Sequence, residues 1–260
     1  MITHSIIAAA GMGTRLGDLT TTNPKGLVRV SDEALVPRLL AQLGNAGVSH
    51  TKVVVGYLGD KLIDEVSKGA WAVGVEFLRN PHYRSSNNVT SLFLALSPER
   101  PVVIADCDVF LSEFPTRWLE PDGSDLAVPT RTLREGETGT VLRMESSGRL
   151  QLHVARTPNE IRCGDRKTIS VYLIKSHDLA RDLCSEAGAA ISRGRTDLYY
   201  EDVLARAVGA RYQIAQYKVE DWGITAFEID TPQDLRDAET WFAANAACGP
   251  SAIEEAHHAR

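Results

Sequence analysis

Short apolar runs alternate with segments of helical periodicity through the first half of the sequence, and this alternation restricts the possible folds more than any other feature. The apolar runs occupy residues 6–10, 53–55, 73–78 and 102–105, and a helical face is marked by Leu35, Leu39, Leu40 and Leu43. Parallel strands need a crossover connection, which a helix usually supplies. The first half therefore predicts an α/β fold with a mixed, mainly parallel sheet flanked by helices.

The pattern changes after Asp125, where apolar runs become shorter and are separated by Gly, Ser and charged turns. These runs, at residues 126–129, 141–144, 150–154 and 168–174, predict a small antiparallel β insertion beside the main sheet. Helical spacing returns over residues 179–191 and 203–208, and a last helix is expected to begin at Thr231, a good N-cap followed by Pro232. We find no internal repeat, so we expect one domain over residues 1–244 and an Ala-rich tail or linker over residues 245–260.

Composition excludes two broad classes of protein. The formal net charge of -6 offers no basic field for nucleic acid. No apolar run approaches the roughly 20 residues that a membrane helix needs. No basic and apolar leader follows Met1 and the four cysteines are scattered, so we expect a cytoplasmic protein with reduced thiols.

A Gly-containing segment directly follows the first predicted strand. Residues 8–16 read AAAGMGTRL, and a Thr-rich stretch leads to Pro24 and Lys25. Small residues let backbone amides approach a nucleotide, while Arg15 and Lys25 could neutralise its phosphates. The two glycines alone would equally suit a tight turn. A Rossmann dinucleotide site is disfavoured because Leu16 replaces the third glycine, and a Walker loop is excluded because Lys25 is too far from Gly13.

The combination of strand, GxGTRL and PK resembles the nucleotidyltransferase superfamily, which includes sugar-phosphate nucleotidyltransferases and small cytidylyltransferases. Other segments resemble its phosphocholine and phosphonate cytidylyltransferase branch, in the same order along the chain. The resemblance implies a Rossmann-like fold of the nucleotide-diphospho-sugar transferase type and transfer of CMP from CTP. The matching segments are residues 53–57 (VVVGY), 80–81 (NP), 86–92 (SNNVTSL), 102–110, 167–172, 199–203 (YYEDV) and 228–232 (EIDTP).

Two aspartates, Asp106 and Asp108, come at the carboxyl end of the run at residues 102–105, the edge where open α/β sheets place ligands. By spacing alone they could as easily cap a turn. The resemblance assigns Asp108 and Asp230 to a Mg²⁺ ion, which prefers carboxylate and phosphate oxygens and water. It leaves Asp106 at a position that is often acidic. Glu228 would share a strand face with Asp230 and could support it.

The resemblance also implies roles around the nucleotide. Arg15 would hold the β- and γ-phosphates, and Lys25 would bridge the α-phosphate and the acceptor. The remaining nucleotide contacts would come from Ala8, Ala10, Gly11, Gly13, Thr14, Asn87, Asn88, Ser91 and Asp106. Asn87, Asn88 and Ser91 could instead serve only to cap a helix.

The acceptor site is expected to contain Lys167, Arg131 and Tyr200, with Tyr199 and Trp222 as further candidates. All three aromatic residues could equally belong to the core. A trimethylammonium group is usually bound by a cage of aromatic rings. Residues 129–149, which the resemblance places over the acceptor, contain no Phe, Trp or Tyr but do contain arginines, which bind phosphonate oxygens well. This composition favours a small phosphonate, 2-hydroxyethylphosphonate or 2-aminoethylphosphonate, over phosphocholine.

Within its branch the chain resembles the cytidylyltransferase domain of the bifunctional enzyme in fosfomycin biosynthesis, which implies fusion to, or cooperation with, another phosphonate-pathway enzyme. Two alternatives stay open besides phosphocholine. A sugar-1-phosphate nucleotidyltransferase would share the GxGTRL and PK elements but usually has a larger second half. A nucleotide-sensing module would keep the fold and lose the metal pair or Lys25, all of which are present here.

Overall fold

The computed structural model describes residues 1–246, and most of its strands form one ten-stranded sheet. The helices are α1 (Leu35–Ala46), α2 (Gly59–Ser67), α3 (Asn88–Ala95), α4 (His177–Ser192), α5 (Tyr200–Val208) and α6 (Pro232–Ala246). The strands are β1 (His4–Ala9), β2 (Arg29–Val30), β3 (Glu33–Ala34), β4 (His50–Val55), β5 (Gly74–Arg79), β6 (Val102–Asp106), β7 (Val109–Leu111), β8 (Leu126–Arg131), β9 (Gly139–Met144), β10 (Leu150–Ala155), β11 (Arg166–Thr168), β12 (Val171–Ile174), β13 (Ile214–Lys218) and β14 (Ala226–Glu228).

The half of the sheet built from the first part of the chain is parallel, in the order β5-β4-β1-β6. Alternate strand residues enter opposite cores, as the two-residue period of a strand requires. Val53 and Val55 pack with α1 and α2 on one face, whereas Val54 packs with α3, α4 and α5 on the other. These strands read as continuous apolar runs because both faces are covered. The predicted α/β fold is confirmed.

The second half of the sheet is antiparallel, as predicted, except for β13, and it continues the main sheet through the pairing of β12 with β6. β11 and β12 follow one another along the same side of β8. Lys167 pairs with Arg131, and Leu173 pairs with Ala127. Between these pairings the β11–β12 side contains extra residues, including Ser170 at φ 52°. The run that we expected as one strand is therefore interrupted at this bulge.

A smaller core lies beneath α6, where the sheet of β7 and β14 packs against the region around Leu16 and the β2–β3 hairpin. Phe110 is fully buried there, with Trp241 and Phe242 of α6 against it. As predicted, Thr231 closes the start of α6, since its hydroxyl accepts from the Asp234 N–H at 3.3 Å. This core ties the end of the described chain to the loop that follows β1.

Two features differ from the sequence predictions. β13, which pairs in parallel with β8, was not expected, since its residues IAQYK mix apolar and polar positions without a buried run. α6 continues through residues 245 and 246, which the sequence assigned to the tail, while residues 247–260 lie outside the described residues. No helix within residues 1–246 combines the length and apolar character needed to cross a bilayer.

Candidate active site

Two cavities meet at the carboxyl edge of the parallel strands. The first, of about 380 Å³, lies between the loop after β1 and the start of α3, and the second, of about 630 Å³, lies over the antiparallel strands. The residues that line both cavities are Arg15, Asn88, Asp106, Asp108, Tyr199 and Asp230. A molecule in either cavity would therefore face the same group of carboxylates.

The loop after β1 is held against Lys25 by close packing. Gly13 has φ 63° and ψ 33°, in the left-handed region that favours glycine. A Cβ atom at this position would lie 3.1 Å from Cβ of Lys25 and 3.2 Å from Cγ2 of Thr20. The Thr20 hydroxyl donates to the Gly13 carbonyl at 2.9 Å. Gly13 is thus needed for both backbone conformation and space.

Lys25, Asp108 and Asp230 form the centre of the site. The Lys25 Nζ donates to Oδ2 of Asp108 at 2.5 Å and to Oδ1 of Asp230 at 2.6 Å. Arg15, which is largely exposed, donates to the same Asp230 oxygen at 2.7 Å. The structure therefore brings together the four residues that the sequence predicted to be catalytic.

Strand register explains how residues so distant in sequence meet. β1 pairs with β6 so that Ala8 lies opposite Asp106. β7 pairs with β14, and beyond that pairing the Ile229 N–H donates to the Asp108 carbonyl at 2.9 Å. The backbone that follows β6 and the backbone that follows β14 are consequently neighbours, which places Asp108 beside Asp230.

Burial and the neighbouring charges have opposing effects on the pKa values of Lys25, Asp108 and Asp230. Burial alone would lower the pKa of Lys25, but the Asp108 and Asp230 carboxylates outweigh it and raise the pKa well above its usual value. Burial raises the pKa of Asp108, with Lys25 opposing the change. Burial would also raise the pKa of Asp230, but Lys25 and Arg15 hold it below its usual value. Lys25 is therefore a fixed cation in this arrangement.

The two carboxylates suit a divalent cation as well as an ammonium group. Both already converge on one cationic atom, and the buried Oδ1 of Asp108 has no hydrogen-bond partner. Within residues 1–246 no group of three or more His, Cys, Asp or Glu side chains is arranged to hold a metal ion. The protein would thus supply two carboxylates, and phosphate oxygens and water would complete the shell of a Mg²⁺ ion.

All nine residues predicted to contact the nucleotide line the first cavity. Three of them also have structural roles. Asn87 caps α3 by accepting from the Asn88 N–H at 2.8 Å, Asn88 accepts from the Tyr200 N–H at 2.8 Å, and the Ser91 hydroxyl accepts from Asn80 at 3.0 Å. Capping therefore fixes the cavity wall, and contact of these side chains with a nucleotide remains a prediction.

The first cavity also contains Asn80, Tyr83 and Ser86, which we did not predict as site residues. Asn80 is buried and its amide donates to both Thr90 and Ser91 at 3.0 Å. The NP pair at residues 80–81 was one of the matching segments, so a signal for Asn80 was present. Tyr83 had no such signal.

The cations predicted for the acceptor site line the second cavity, but each is already paired with a carboxylate. Arg131 donates to Glu137 through both terminal nitrogens, one at 2.8 Å. The Lys167 Nζ lies 2.7 Å from Oε2 of Glu228. The other carboxylate oxygen of Glu228, Oε1, accepts a hydrogen bond from the Ser170 hydroxyl. The support that we expected from Glu228 is thus directed at Lys167.

The prediction that Tyr200 lines the acceptor site is wrong, and Trp222 is a core aromatic, the alternative that we left open for it. Tyr200 is fully buried in the core with its ring edge-on to Tyr172, and it does not line the second cavity. Trp222 packs against Trp118 and Tyr217 on the opposite face of the sheet. Tyr199, the residue before Tyr200, lines both cavities and is 43% exposed.

The second cavity is also lined by charged residues that we did not predict for the site, among them Arg156 and Glu201. Arg156 donates to both carboxylate oxygens of Asp202 and lies over the Tyr199 ring, 4.9 Å from its centroid. Burial raises the pKa of Glu201 to about 7. Burial and the nearby Glu201 carboxylate also raise the pKa of Asp106 well above its usual value. Glu201 lies in the YYEDV segment, so the resemblance included this residue but implied no role for it.

Comparison with known proteins agrees with this architecture. Two curated relatives are CMP-5'-(3-aminopropyl)phosphonate synthase of Streptomyces rubellomurinus, 30% identical over 92% of this chain, and 2-aminoethylphosphonate cytidylyltransferase of Lancefieldella rimae, 34% identical over 43% of it. The matches span only 38% and 45% of those two proteins. The solved structure of CTP:phosphocholine cytidylyltransferase from Streptococcus pneumoniae has the same fold, with a TM-score of 0.74 and 22% identity over 93% of this chain and 99% of that one. The model of the MobA-like NTP transferase domain matches residues 5–158, more than half of the chain, and the protein therefore belongs to that family.

Proposed function

We propose that this chain is a Mg²⁺-dependent cytidylyltransferase that transfers CMP from CTP to a small phosphonate and releases pyrophosphate. The observation that carries the proposal is the meeting of two cavities at Asp108 and Asp230, both of which accept hydrogen bonds from Lys25. One cavity has the small-residue loop and amide side chains suited to a nucleotide. The other has room for a compact acceptor.

The reaction would be an in-line displacement at the α-phosphorus. A phosphonate oxygen forms a new P–O bond, the bond between the α-phosphorus and the bridging oxygen breaks, and pyrophosphate leaves with the electron pair. Because the attacking oxygen is already ionised, no general base is needed. Catalysis then depends on positioning and charge neutralisation.

The residues at the junction have distinct tasks in this proposal. Arg15, which is exposed at the mouth of the first cavity, would bind the β- and γ-phosphates. Lys25 would leave its carboxylate partners to bind the α-phosphate and the acceptor. Asp108 and Asp230 would then hold Mg²⁺, which supplies Lewis-acid stabilisation of phosphate charge when bound.

The lining of the second cavity supports a phosphonate over phosphocholine. Among the described residues, Tyr199 is the only aromatic one that lines this cavity, and the Arg156 guanidinium already lies over its ring. A cage for a trimethylammonium group normally needs two or three free ring faces. The names of the two phosphonate relatives agree with the same choice.

The proposal is tested by measuring pyrophosphate release from each of CTP, UTP, GTP and ATP with Mg²⁺ and either 2-aminoethylphosphonate or 2-hydroxyethylphosphonate. We expect CTP to give the highest kcat/KM, and release to require both the acceptor and the metal. Equal or faster turnover of another nucleotide would contradict the cytidylyl assignment. Pyrophosphate release at the same rate with and without the phosphonate would contradict the transfer reaction.

A further inference from the structure

Glu201 is a buried carboxylate without a partner for one of its oxygens. It is the second residue of α5, only 7% exposed, and it lines the second cavity. Its Oε2 atom is buried and makes no hydrogen bond. An unpaired carboxylate oxygen in such a position costs free energy unless a ligand or another group supplies a donor.

The cations around the second cavity are committed elsewhere. Arg131 is paired with Glu137, Lys167 with Glu228, and Arg156 with Asp202. Arg134, the other arginine that lines this cavity besides Arg15, lies 3.8 Å from Asp237. At the junction, Lys25 and Arg15 are paired with Asp108 and Asp230.

Three carboxylates that line the second cavity have no ion pair among residues 1–246, namely Asp106, Glu201 and Asp234. Asp234 instead accepts a hydrogen bond from Thr231 at the start of α6. Asp106 is less enclosed than Glu201 and also lines the nucleotide cavity. Glu201 thus lines the second cavity without an ion pair, although Lys167 is close enough to attract its charge. A ligand that completes this cavity should bring a positive group to it.

The unpaired oxygen of Glu201 limits which positive groups could bind there. A carboxylate oxygen that lacks a hydrogen bond needs a cation that can donate one. A primary ammonium has three N–H donors, whereas a trimethylammonium has none and a hydroxyl brings no charge. The single ring face at Tyr199, already covered by Arg156, offers nothing to replace such a bond.

We infer that Glu201 recognises the primary ammonium group of an aminoalkylphosphonate acceptor, whose phosphonate end lies toward Asp108 and Asp230. This inference rests on the proposed cytidylyltransferase function and identifies the acceptor class of that site. It makes Glu201 a specificity-determining residue. Burial raises the pKa of Glu201 to about 7, although hydrogen bonds and the nearby Lys167 oppose the rise. An arriving cation would stabilise the ionised form further.

The test compares Glu201→Gln with the unaltered chain on two acceptors of similar size, 2-aminoethylphosphonate and 2-hydroxyethylphosphonate. We expect the substitution to raise KM for the amino acceptor about 10- to 100-fold, the range for losing a charged hydrogen bond. The kcat/KM for the hydroxyl acceptor should change less than about threefold, well below that range. Glu186→Gln, on the exposed side of α4, is the matched control and should change neither.

Parallel loss of activity with both acceptors would assign Glu201 a structural role and overturn the inference. So would an unaltered chain that does not prefer the amino acceptor. The variant Glu201→Asp keeps the negative charge and serves as a second test where Glu201→Gln folds poorly. A preference for the amino acceptor that is larger in Glu201→Asp than in Glu201→Gln supports the inference.

Calorimetric titration with 2-aminoethylphosphonate separates this inference from the proposed function. If neither acceptor supports pyrophosphate release, yet the unaltered chain binds the amino acceptor at least about tenfold more tightly than Glu201→Gln, recognition by Glu201 stands and the reaction is wrong. Equal affinity of the two chains overturns the inference whether or not the reaction occurs.

Discussion

At the scale of single residues, the site depends on four charges that balance one another. Lys25 and Arg15 supply two positive charges, and Asp108 and Asp230 supply two negative charges within hydrogen-bond distance. Lys25 and Asp108 have side chains only 11% and 15% exposed, so neither would tolerate the loss of its partner easily. When a metal ion and a triphosphate bind, these four side chains must therefore exchange their present partners for the metal and the phosphates.

The first prediction concerns the two carboxylates. Asp108→Asn and Asp230→Asn should each lower kcat by at least about 10³-fold with CTP, a phosphonate and Mg²⁺, because each removes a preorganised charge. Steady-state pyrophosphate release measures this loss. Asp64→Asn, an acidic position on α2 away from both active-site cavities, serves as the control and should retain full turnover. Near-normal kcat in either site variant would refute the metal assignment.

The second prediction concerns Lys25. Lys25→Ala should lower kcat more than it weakens CTP binding, because its ammonium acts mainly where charge develops at the α-phosphorus. Single-turnover rates at saturating CTP, beside calorimetric CTP affinity, separate the two effects. A collapse of CTP affinity with intact single-turnover chemistry would make Lys25 a binding group only.

The residue patterns of the sequence predicted much of this site, but not the direction of every side chain. Asp108 and Asp230 meet as expected because they follow the ends of β6 and β14, and Lys25 reaches them from the segment between β1 and β2. Tyr199 and Tyr200 are adjacent, so no spacing rule distinguishes them. The start of α5 turns Tyr200 into the core and Tyr199 toward the cavities.

At the scale of elements, the bulge between β11 and β12 creates the second cavity. β12 pairs with β6, whereas β11 pairs with β9, so the strand crosses from one partner to the other at Ser170. Asp106, at the end of β6, donates its N–H to the Ser170 carbonyl at 3.1 Å. The sheet divides at this position, and the cavity lies in the gap. Apolar periodicity could not reveal the interruption, because both strands on its two sides are buried.

A buried ion pair stabilises the antiparallel strands and gives a third prediction. Arg143 of β9 donates to Asp165 through Nε at 2.9 Å and Nη2 at 2.7 Å, and both residues are buried. Asp165→Asn should lower the free energy of unfolding at pH 7 by about 3 kcal/mol, since it leaves a buried guanidinium charge without its partner. Urea denaturation measures this change. Asp178→Asn, which removes an exposed pair with Arg181 on α4, should cost much less.

The same pair sets a pH dependence whose sign is fixed. Burial would raise the pKa of Asp165, but the hydrogen bonds from Arg143 and the Arg162 N–H lower it below its usual value of 3.8. A folded-state pKa below the unfolded one gives stabilisation that is present above the unfolded value and lost as pH falls through the folded one. The difference between the unaltered chain and Asp165→Asn should therefore shrink below about pH 4. A difference that grows on acidification would contradict this account.

At the scale of the whole molecule, the site is made by contacts between segments far apart in the chain. The first half supplies the nucleotide cavity, the antiparallel half supplies the acceptor cavity, and the β7–β14 pairing joins Asp230 to Asp108. Sequence periodicity predicted the main strands of each half but not α2 or the short strands β2, β3 and β7. It could not give the pairing of β13 with β8, because register between distant strands depends on packing that no local pattern encodes.

Direct competition between acceptors tests whether the protein transfers CMP to a small phosphonate. The chain is incubated with CTP, Mg²⁺ and equal concentrations of 2-aminoethylphosphonate, 2-hydroxyethylphosphonate, phosphocholine and a sugar 1-phosphate, and the products are resolved by phosphorus NMR. We predict CMP-phosphonate esters as the main products, formed in equal amount with pyrophosphate. A kcat/KM for phosphocholine or the sugar phosphate equal to or above that of both phosphonates would contradict the account.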